Sequence, residues 1–388
     1  MDKRYRGAAH RLKPPEETLS CIEPHFSGFG FTRCADLTGL DRLGIPVCCT
    51  FNPANPVLQV SWGKGAKIVD AKVSAAMEAI ERYHVCFPDA RVKKASQAEL
   101  ENQGHDFISP FRLQRFNETM DFSDSMDICW LPMEAVTAEK LPDQVYVPAA
   151  AVYPCEPQVN YFSANGLASG NCTEEAQLHA LYEIIERNGI SCCFDQTGRL
   201  TLKQNKIPRM DMNLCPQGPV RELYEKICRA DLELVLLRPD SRVEGVYLFW
   251  AALIEEQSPV LWTRINLGYG AHASPTVAAV RAITEAAQSR LAFLHGCRED
   301  MGHKMLFPQV NAVNKTVRYF SSFVPETPWD ALDDYSHDSL DKDLSCLTKA
   351  IFSAGFSRIC RLQIPCEVME ISILKMIVEG MNLRHGLF

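Results

Sequence analysis

The sequence lacks the cysteine patterns that mark zinc proteins and secreted disulfide proteins. Its 16 cysteines are scattered along the chain, and none of them forms a Cys-x-x-Cys pair. Zinc sites need cysteine or histidine pairs at short, repeated spacing. The basic N-terminus (Lys3, Arg4 and Arg6) is not followed by the apolar stretch of a secretion signal, and disulfides are rare without secretion. We therefore expect reduced thiols that are buried as small hydrophobic groups.

An excess of positive charge and a long apolar run are also missing. The formal net charge is -8 and the isoelectric point is near 5.7, which argues against nucleic acid as the main partner. The most apolar segment, residues 246–254, is too short to span a bilayer. We therefore expect a soluble, cytoplasmic protein that acts on neither membranes nor nucleic acid.

Because neither a dinucleotide-binding fingerprint nor a Walker loop is present, the fold has to be inferred from hydrophobic periodicity. Apolar runs predict strands at residues 47–51, 127–136, 144–153, 232–237, 245–254 and 358–364. Longer amphipathic runs predict helices within residues 61–90 and at residues 172–190, 275–296 and 340–354. The acidic segment 329–343 has the composition of an exposed loop. These elements predict an α/β (α+β) fold in which helices flank mixed sheets.

Two of the predicted helices carry glutamates among apolar and small residues, and both end in Glu-x-x-Glu-Arg. The first helix places four polar residues within about 100° of one another: Ser74, Glu78, Glu81 and Arg82. The second helix places four polar residues within a stripe of about 80°, just before Arg187: Glu175, His179, Glu183 and Glu186. The surrounding apolar positions predict that both helices are largely buried.

Buried carboxylates need a positive partner, because an unpaired buried charge is too costly to persist and stacked glutamates repel one another. That partner could be arginine, a metal ion, or both. On a solvated helix the same motif would make only weak surface pairs, but here the glutamates do not share a charged face. We interpret His179 as a hydrogen-bonding residue, whereas Arg82 and Arg187 fit equally well as partners of the glutamates or as phosphate contacts.

Three glycine-rich segments each precede a polar-faced helix. They contain Gly63 and Gly65, then Gly166 and Gly170, then Gly268 and Gly270. The helix after the third segment carries Arg281, Glu285, Gln288 and Arg290 on one side. Glycine lets backbone N–H groups approach an anion closely, and a helix N-terminus favours negative charge. Phosphate bound at these loops, with glutamates holding Mg²⁺ against it, would explain both features together.

Taken together, these segments resemble the YcaO family over essentially the whole chain, with three long motifs in the expected order. The motifs are Gly63-Lys-Gly65 with Ser74-x3-Glu78-x2-Glu81-Arg82, Asn165-Gly-Leu-Ala-Ser-Gly-Asn171 with Glu175-x3-His179-x3-Glu183-x2-Glu186-Arg187, and Gly268-Tyr-Gly-Ala-His272 with Thr284-Glu-Ala-Ala-Gln288-Ser-Arg290. The lead-in segment 32–46 is similar to that of stand-alone members found with a TfuA-type partner. The resemblance implies a single YcaO domain over residues 1–388, with a lead-in at 1–60, an ATP- and Mg²⁺-binding core at 61–330 and a C-terminal segment at 331–388.

The resemblance also implies an ATP- and Mg²⁺-dependent enzyme that converts peptide backbone amides into azolines or thioamides. It assigns the metal and the catalytic carboxylates to Glu78, Glu81, Glu183 and Glu186. It assigns nucleotide contacts to Ser74, Asn171, Glu175, Arg187 and Arg290, with Arg11 and Thr18 as a looser N-terminal motif. Arg82 and Gln288 are implied as supporting residues.

Two departures from the family pattern shape the remaining expectations. Many azoline-forming members end in a proline-rich tail, whereas this sequence ends Arg384-His-Gly-Leu-Phe388. This difference favours thioamide formation over azoline formation. We expect no fused leader-recognition domain, because the length is taken up by the YcaO motifs. We therefore expect a separate partner that is TfuA-like, recognises the leader or delivers sulfur, in addition to the peptide or protein substrate. We also expect a homodimer. The alternatives are a non-turnover ATP-binding accessory protein, as for ribosomal protein methylthiolation, and a metal-dependent hydrolase without nucleotide.

Overall fold

The computed structural model describes residues 1–381 except for 57, 87–90, 114–121, 138–142, 161, 195–206, 297–308 and 369. The chain forms two units whose segments alternate along the sequence. The first unit comprises Met1–Ile80, Cys193–Ser241 and Gly245–Ser339, and the second comprises Glu81–Cys192, Arg242–Glu244 and Leu340–Phe388. The single domain over residues 1–388 stays a prediction.

The first unit contains two sheets. A three-stranded antiparallel sheet has the order β1 (Arg33–Asp36), β2 (Val47–Phe51) and β3 (Val60–Lys64). A five-stranded sheet has the order β11 (Ile265–His272), β10 (Tyr247–Ile254), β9 (Glu233–Leu237), β8 (Arg209–Met210) and β12 (Pro325–Thr327). Its strands pair antiparallel except for β8 and β12, which run parallel. The sheet is therefore mixed, as the sequence predicts.

Within the described residues, the first unit contains five α-helical segments. They are α1 (Pro15–Ile22), α5 (Pro219–Arg229), α6 (Pro275–His295), α7 (Val310–Ser321) and the part of α2 (Ile68–His84) up to Ile80. One hydrophobic core joins the alternate residues Leu234 and Leu236 of β9, Phe249 and Ala251 of β10, and the small residues of α6. This period of two along the strands is what the pleat of a half-buried sheet requires.

The second unit is built on one six-stranded antiparallel sheet. Its path is β4 (Lys93–Ala95), β5 (Ile128–Val136), β13 (Ile359–Ile364), β14 (Ser372–Val378) and β7 (Leu167–Gly170), with β6 (Asp143–Pro148) also paired to β5. The helices are α3 (Gln97–Asn102), α4 (Thr173–Ser191), α8 (Leu340–Ser353) and the last residues of α2. Helix α4 lies on β7 and β14.

The glycines that the sequence predicts as phosphate-binding loops lie mainly within strands. Gly63 is in β3, Gly170 ends β7, and Gly268 and Gly270 are in β11. A Cβ added at Gly63 would come within 2.1 Å of the Ala75 backbone nitrogen, and the other positions meet helix backbone in the same way. These four glycines are therefore needed for close helix-on-strand packing, which corrects their interpretation as loop residues.

Gly166 has a different role, because it has a φ of +76° in the turn before β7. A Cβ at this position would also lie 2.3 Å from the Met376 carbonyl oxygen. Glycine suits this turn both for its backbone conformation and for the lack of space.

Most of the predicted elements are present, with two corrections. The strand predicted at 144–153 is too long, because β6 stops at Pro148 and a short 3-10 helix follows at Ala149–Ala151. The segment 329–343 is not simply an exposed loop. Trp329 is buried in the core of the first unit, and Leu340 begins α8. The apolar side chains within this acidic segment explain the difference.

The cysteines meet the expectation of buried, reduced thiols only in part, because most of the described ones are half-buried or exposed. Within the described residues fifteen are free, and five of these are buried. Burial raises the pKa of Cys48 and of Cys360 to about 12. Such thiols are inert at neutral pH.

Candidate functional site

The predicted site residues divide between the two units. The first unit holds Arg11, Thr18, Ser74, Glu78, Gln288 and Arg290. The second unit holds Glu81, Arg82, Asn171, Glu175, Glu183, Glu186 and Arg187. Each group is therefore described within its own unit.

Glu81, in the last turn of α2, is held by the strand that leads into α4. One oxygen of its carboxylate, Oε1, accepts the Ser169 backbone N–H at 2.7 Å and the Ser169 hydroxyl at 2.5 Å. Only 9% of Glu81 is exposed. Charge-assisted hydrogen bonds of this kind offset much of the cost of burying a carboxylate. They also fix its orientation, as a metal or phosphate site requires.

Glu175 holds the first turn of α4. Its Oε1 accepts both the backbone N–H and the side-chain amide of Asn171, at 3.2 and 3.1 Å. Glu175 is 3% exposed, and it supplies an acceptor to a backbone N–H just ahead of the helix, much as a capping residue does. These two predicted nucleotide contacts therefore bind each other in the structure.

Further along α4, a carboxylate lies among positive charges. Arg187 makes an ion pair with Glu183, with 2.7 Å between Nη2 and Oε1. Lys375 of β14 also acts electrostatically on Glu183. Arginine was one of the partners expected for the stacked glutamates, and here it is present together with a lysine that the sequence analysis missed.

Glu186 is the most deeply buried member of the predicted metal set. It is 3% exposed, although Glu183, one turn before it, and Arg187, the next residue, are half-buried. The expectation that α4 is largely buried is confirmed, because fourteen of its residues are buried. Burial makes Glu186 sensitive to any change in the charges around it.

In the first unit, Arg290 is surrounded by acceptors of its own. Its Nε donates to Asp41 at 3.0 Å, and its Nη2 donates to Glu255 at 2.7 Å. The remaining Nη1 donates to the Thr263 carbonyl at 2.7 Å, and the residue is 4% exposed. A nucleotide contact by Arg290 stays a prediction, and in this structure its guanidinium group binds two carboxylates.

The other first-unit residues lie on separate elements. Ser74 and Glu78 are half-buried on α2, and Gln288 is half-buried on α6. Thr18 is buried on α1, where its hydroxyl donates to the Pro14 carbonyl at 3.4 Å. Arg11 donates to the His10 carbonyl at 3.1 Å. Their roles at a nucleotide remain predictions, as does the supporting role of Arg82 in the second unit.

Two residues that the sequence analysis missed are Ser169 and Lys375. Ser169 lay unremarked inside the second glycine segment. Lys375 is the single charged residue in the apolar run Ile371-Ser-Ile-Leu-Lys-Met-Ile-Val378. An isolated lysine in a buried strand was a usable signal, since lysine is almost never fully buried without a partner.

The carboxylates fit Mg²⁺ in chemistry but do not form a ready-made cage. Within the described part of the chain, no three histidine, cysteine, aspartate or glutamate side chains converge on one metal position. Mg²⁺ typically uses one or two carboxylates together with substrate phosphates and water. The hard oxygen donors of Glu81, Glu183 and Glu186 therefore suit a metal that arrives with a nucleotide.

Comparison with known families decides the identity of the fold. The YcaO family model, described as an ATP- and Mg²⁺-binding cyclodehydratase, matches residues 62–382. This chain belongs to the YcaO family. An uncharacterized protein of Mycobacterium tuberculosis is 30% identical over 98% of this chain and 84% of its own length.

Two further comparisons extend this result. A Rhizobium leguminosarum protein, named for its place in the tfuA 3′ region, is 27% identical over 96% of this chain and 88% of its own. The YcaO structure from Methanopyrus kandleri, solved with AMPPCP and Mg²⁺ bound, shares the fold. Its TM-score is 0.75 at 24% identity, covering 98% of this chain and 94% of that one.

Family membership confirms the sequence-based recognition and the α/β fold with mixed sheets flanked by helices. It places the protein among ATP-dependent enzymes whose family binds ATP and Mg²⁺. Within the described residues, no helix has the length and apolar character needed to cross a membrane. A cytoplasmic location and a homodimer stay predictions.

Proposed function

We propose that this YcaO protein activates backbone amides of a ribosomally made peptide or protein by ATP-dependent phosphorylation of the amide oxygen. A nucleophile adds to the amide carbonyl, the resulting oxygen takes the γ-phosphoryl group of ATP, and ADP is released. Phosphate then leaves with that oxygen. A cysteine, serine or threonine side chain as nucleophile leaves the C=N bond of an azoline, and a sulfide equivalent leaves the C=S bond of a thioamide.

The observation that carries this proposal is the set of oriented carboxylates in the second unit. Glu81 is fixed by two hydrogen bonds from Ser169 of β7, and Glu186 is buried on α4, the helix that packs on β7. Carboxylates that are desolvated and fixed before the substrate arrives act on charge without further reorganisation. Phosphoryl transfer needs this kind of positioning more than it needs covalent chemistry from the protein.

We assign metal binding to Glu81, Glu183 and Glu186 of the second unit; a metal role for Glu78, which belongs to the first unit, stays a prediction. Bound Mg²⁺ would neutralise charge on the transferred phosphoryl group. Arg187 is held by Glu183, and the planar fork of an arginine suits a phosphate, so we assign Arg187 to the nucleotide. Asn171 and Glu175 fix the start of α4 and so keep this set in register.

We further propose that the product is a thioamide and that the protein acts with a TfuA-like partner. The support is the relative in the tfuA 3′ region, which matches nearly the whole chain. Sulfide delivery needs a donor, and a separate partner could supply it. The peptide substrate and its leader would then bind to the assembly of both proteins.

The experiment combines the purified protein, a co-encoded TfuA-like protein, a candidate peptide, Mg-ATP and a sulfide source. ADP, phosphate and the mass of the peptide are measured in the same sample. Thioamide formation replaces one oxygen by one sulfur, and azoline formation removes one water, each with one ADP and one phosphate per modified amide. Reactions without the partner, without sulfide and with Glu186→Gln serve as controls.

The outcomes of this experiment separate the alternatives. Loss of water instead of sulfur gain would keep the proposed activation and overturn the thioamide product. ATP binding without any peptide change, with each co-encoded partner tested, would favour the non-turnover accessory role. Failure to bind Mg-ATP would overturn both readings.

A further inference from the structure

Strand β14 carries a buried lysine in the middle of an apolar run. Lys375 lies between the buried residues Leu374 and Met376, and only 3% of it is exposed. Removing an ammonium group from water is costly even after the protein relaxes. Burial accordingly lowers the pKa of Lys375 to about 8, against an opposing effect from Glu183. A residue this costly to bury needs specific partners.

The partners of the Lys375 ammonium are two backbone carbonyls in the turn before β7. Its Nζ donates to the Ser163 oxygen at 2.6 Å and to the Asn165 oxygen at 2.8 Å. The next residue of β14, Met376, donates its N–H to the Gly166 oxygen at 2.7 Å. Three successive contacts therefore hold this turn against β14.

The turn that Lys375 holds also lies against α4, because a Cβ added at Gly166 would come within 2.8 Å of the Ile184 side chain. The charges of the α4 ion pair act on the Lys375 ammonium. Glu183 attracts it and Arg187 repels it, while these two residues bind each other at 2.7 Å. Within the described residues, both hydrogen bonds of the Lys375 ammonium go to this turn. Lys375 thus connects the turn that begins β7 with the charged pair on α4.

We propose that Lys375 is a positioning residue that sets the Glu183–Arg187 pair in register with β7, the strand whose Ser169 holds Glu81. The proposal deepens the proposed function, since it treats Glu183 and Arg187 as part of the nucleotide site. It assigns Lys375 no contact with substrate. Without Lys375, the Ser163 and Asn165 carbonyls lose their hydrogen bonds to the ammonium group. Glu183 also loses the favourable charge of that group.

The test is a double-mutant cycle of Lys375→Met and Glu183→Gln, with ATP affinity measured by equilibrium binding in excess Mg²⁺. In the wild-type background, Lys375→Met should weaken ATP binding about fivefold or more. In the Glu183→Gln background the same change should weaken ATP binding less than about twofold, because the effects of coupled residues do not add. A merely structural lysine would weaken binding equally in both backgrounds. That equality, or no weakening in either, would overturn the proposal.

Two further variants keep the cycle decisive. Arg361→Met removes a cation from the neighbouring strand β13, where Arg361 pairs with the exposed Glu134, and it should leave ATP affinity unchanged. If Lys375→Met does not fold, Lys375→Arg replaces it. This variant keeps the charge and should keep ATP affinity within about threefold, because the coupling to Glu183 survives. A larger loss in folded Lys375→Arg would contradict the role of the charge.

A readout that needs no nucleotide separates this proposal from the proposed function. If the wild-type protein binds no ATP, the proposed function fails, and the thermal midpoints of the same four proteins decide the role of Lys375. Glu183→Gln should then restore part of the Tm lost in Lys375→Met, since it removes the carboxylate left under-compensated. Additive losses in Tm would overturn the positioning role.

Discussion

Helices α4 and α6 are packed alike, but their buried charges are arranged in opposite ways. Each lies on a strand whose glycines admit the helix backbone, Gly170 for α4 and Gly270 for α6. On α6 one buried cation, Arg290, is enclosed by two carboxylates. On α4 one carboxylate, Glu183, is approached by two cations.

This difference separates a structural charge cluster from a candidate site. The three guanidinium nitrogens of Arg290 all donate to protein oxygens, so this cluster is complete without a ligand. At α4, Arg187 binds Glu183 and the charge of Lys375 acts on the same carboxylate, and α4 also carries the buried Glu186. An incoming polyphosphate with Mg²⁺ would meet partners of both signs there. The predictions below therefore contrast α4 with α6.

The largest effect is expected for Glu186→Gln on α4. It removes a buried charge without changing shape, and ATP turnover should fall by more than about 100-fold, because it deletes a charge that stabilises phosphoryl transfer. Far-UV circular dichroism should show that the protein stays folded. Glu174→Gln, in the first turn of the same helix, is the matched control and should keep near wild-type turnover. Retained turnover and nucleotide affinity in Glu186→Gln would refute the metal assignment.

The corresponding change on α6 should affect stability. Arg290→Met leaves Asp41 and Glu255 buried without their shared cation, so the free energy of unfolding should fall by about 3–5 kcal/mol. Arg42 pairs with the same Glu255 from a half-exposed position, and Arg42→Met should cost less than about 1 kcal/mol. Urea denaturation measures both. Equal small losses would mean that the Arg290 cluster is not a structural centre.

The shared packing can be tested with glycine-to-alanine changes. A Cβ at Gly270 would lie 2.1 Å from the Ala278 carbonyl oxygen on α6, and one at Gly170 would lie 2.6 Å from the Ala176 nitrogen on α4. Since the helix backbone must move in both variants, each substitution should lower the free energy of unfolding by about 1–3 kcal/mol. The loss should be larger for Gly270→Ala than for Gly170→Ala.

Gly39→Ala is the control for this pair, because no described atom lies within 4 Å of its added Cβ. It should leave the thermal midpoint almost unchanged. If Gly170→Ala and Gly270→Ala also have wild-type midpoints, close packing does not explain these glycines, and their interpretation as phosphate loops would return.

The smallest effect concerns pH at the start of α6. His272 accepts the Ser274 N–H at Nδ1, and burial, followed by the charges of His10, Lys3, Arg281 and Arg11, lowers its pKa well below the usual value. The unfolded chain therefore binds more protons than the folded one at pH below about 6.5, and stability should fall with acidification by at most about 1.4 kcal/mol per pH unit.

Unfolding free energies of wild type and His272→Asn between pH 7.5 and 5.5 provide the measurement. Asparagine keeps an acceptor for Ser274 but does not titrate, so the pH dependence should become shallower. The start of α4, fixed by Asn171 and Glu175, has no histidine and supplies the contrast. Identical slopes for both proteins would show that His272 does not contribute.

The sequence predicted α4 and α6 to within about one residue at each end, because their periodicity is strong and Ser274-Pro275 and Gly296 mark the ends of α6. It could not predict that the glycines serve packing, since a Gly-x-Gly segment looks the same in a loop and in a strand. It also missed Ser169, which holds Glu81 from 88 residues away, and Lys375, which binds the carbonyl of Asn165 from 210 residues away. The hydrophobic pattern of one segment does not show which distant segment it pairs with, or in which register.

The most direct test of the central claim is equilibrium binding of ATP with and without Mg²⁺ to the wild-type protein, Glu81→Gln and Glu186→Gln. We predict saturable binding to one site in the wild type that is strengthened by Mg²⁺. Both variants should lose most of that strengthening, because each lacks a carboxylate assigned to the metal. ATP that fails to bind, or variants that respond to Mg²⁺ as the wild type does, would contradict the assignment of these carboxylates to a Mg-ATP site.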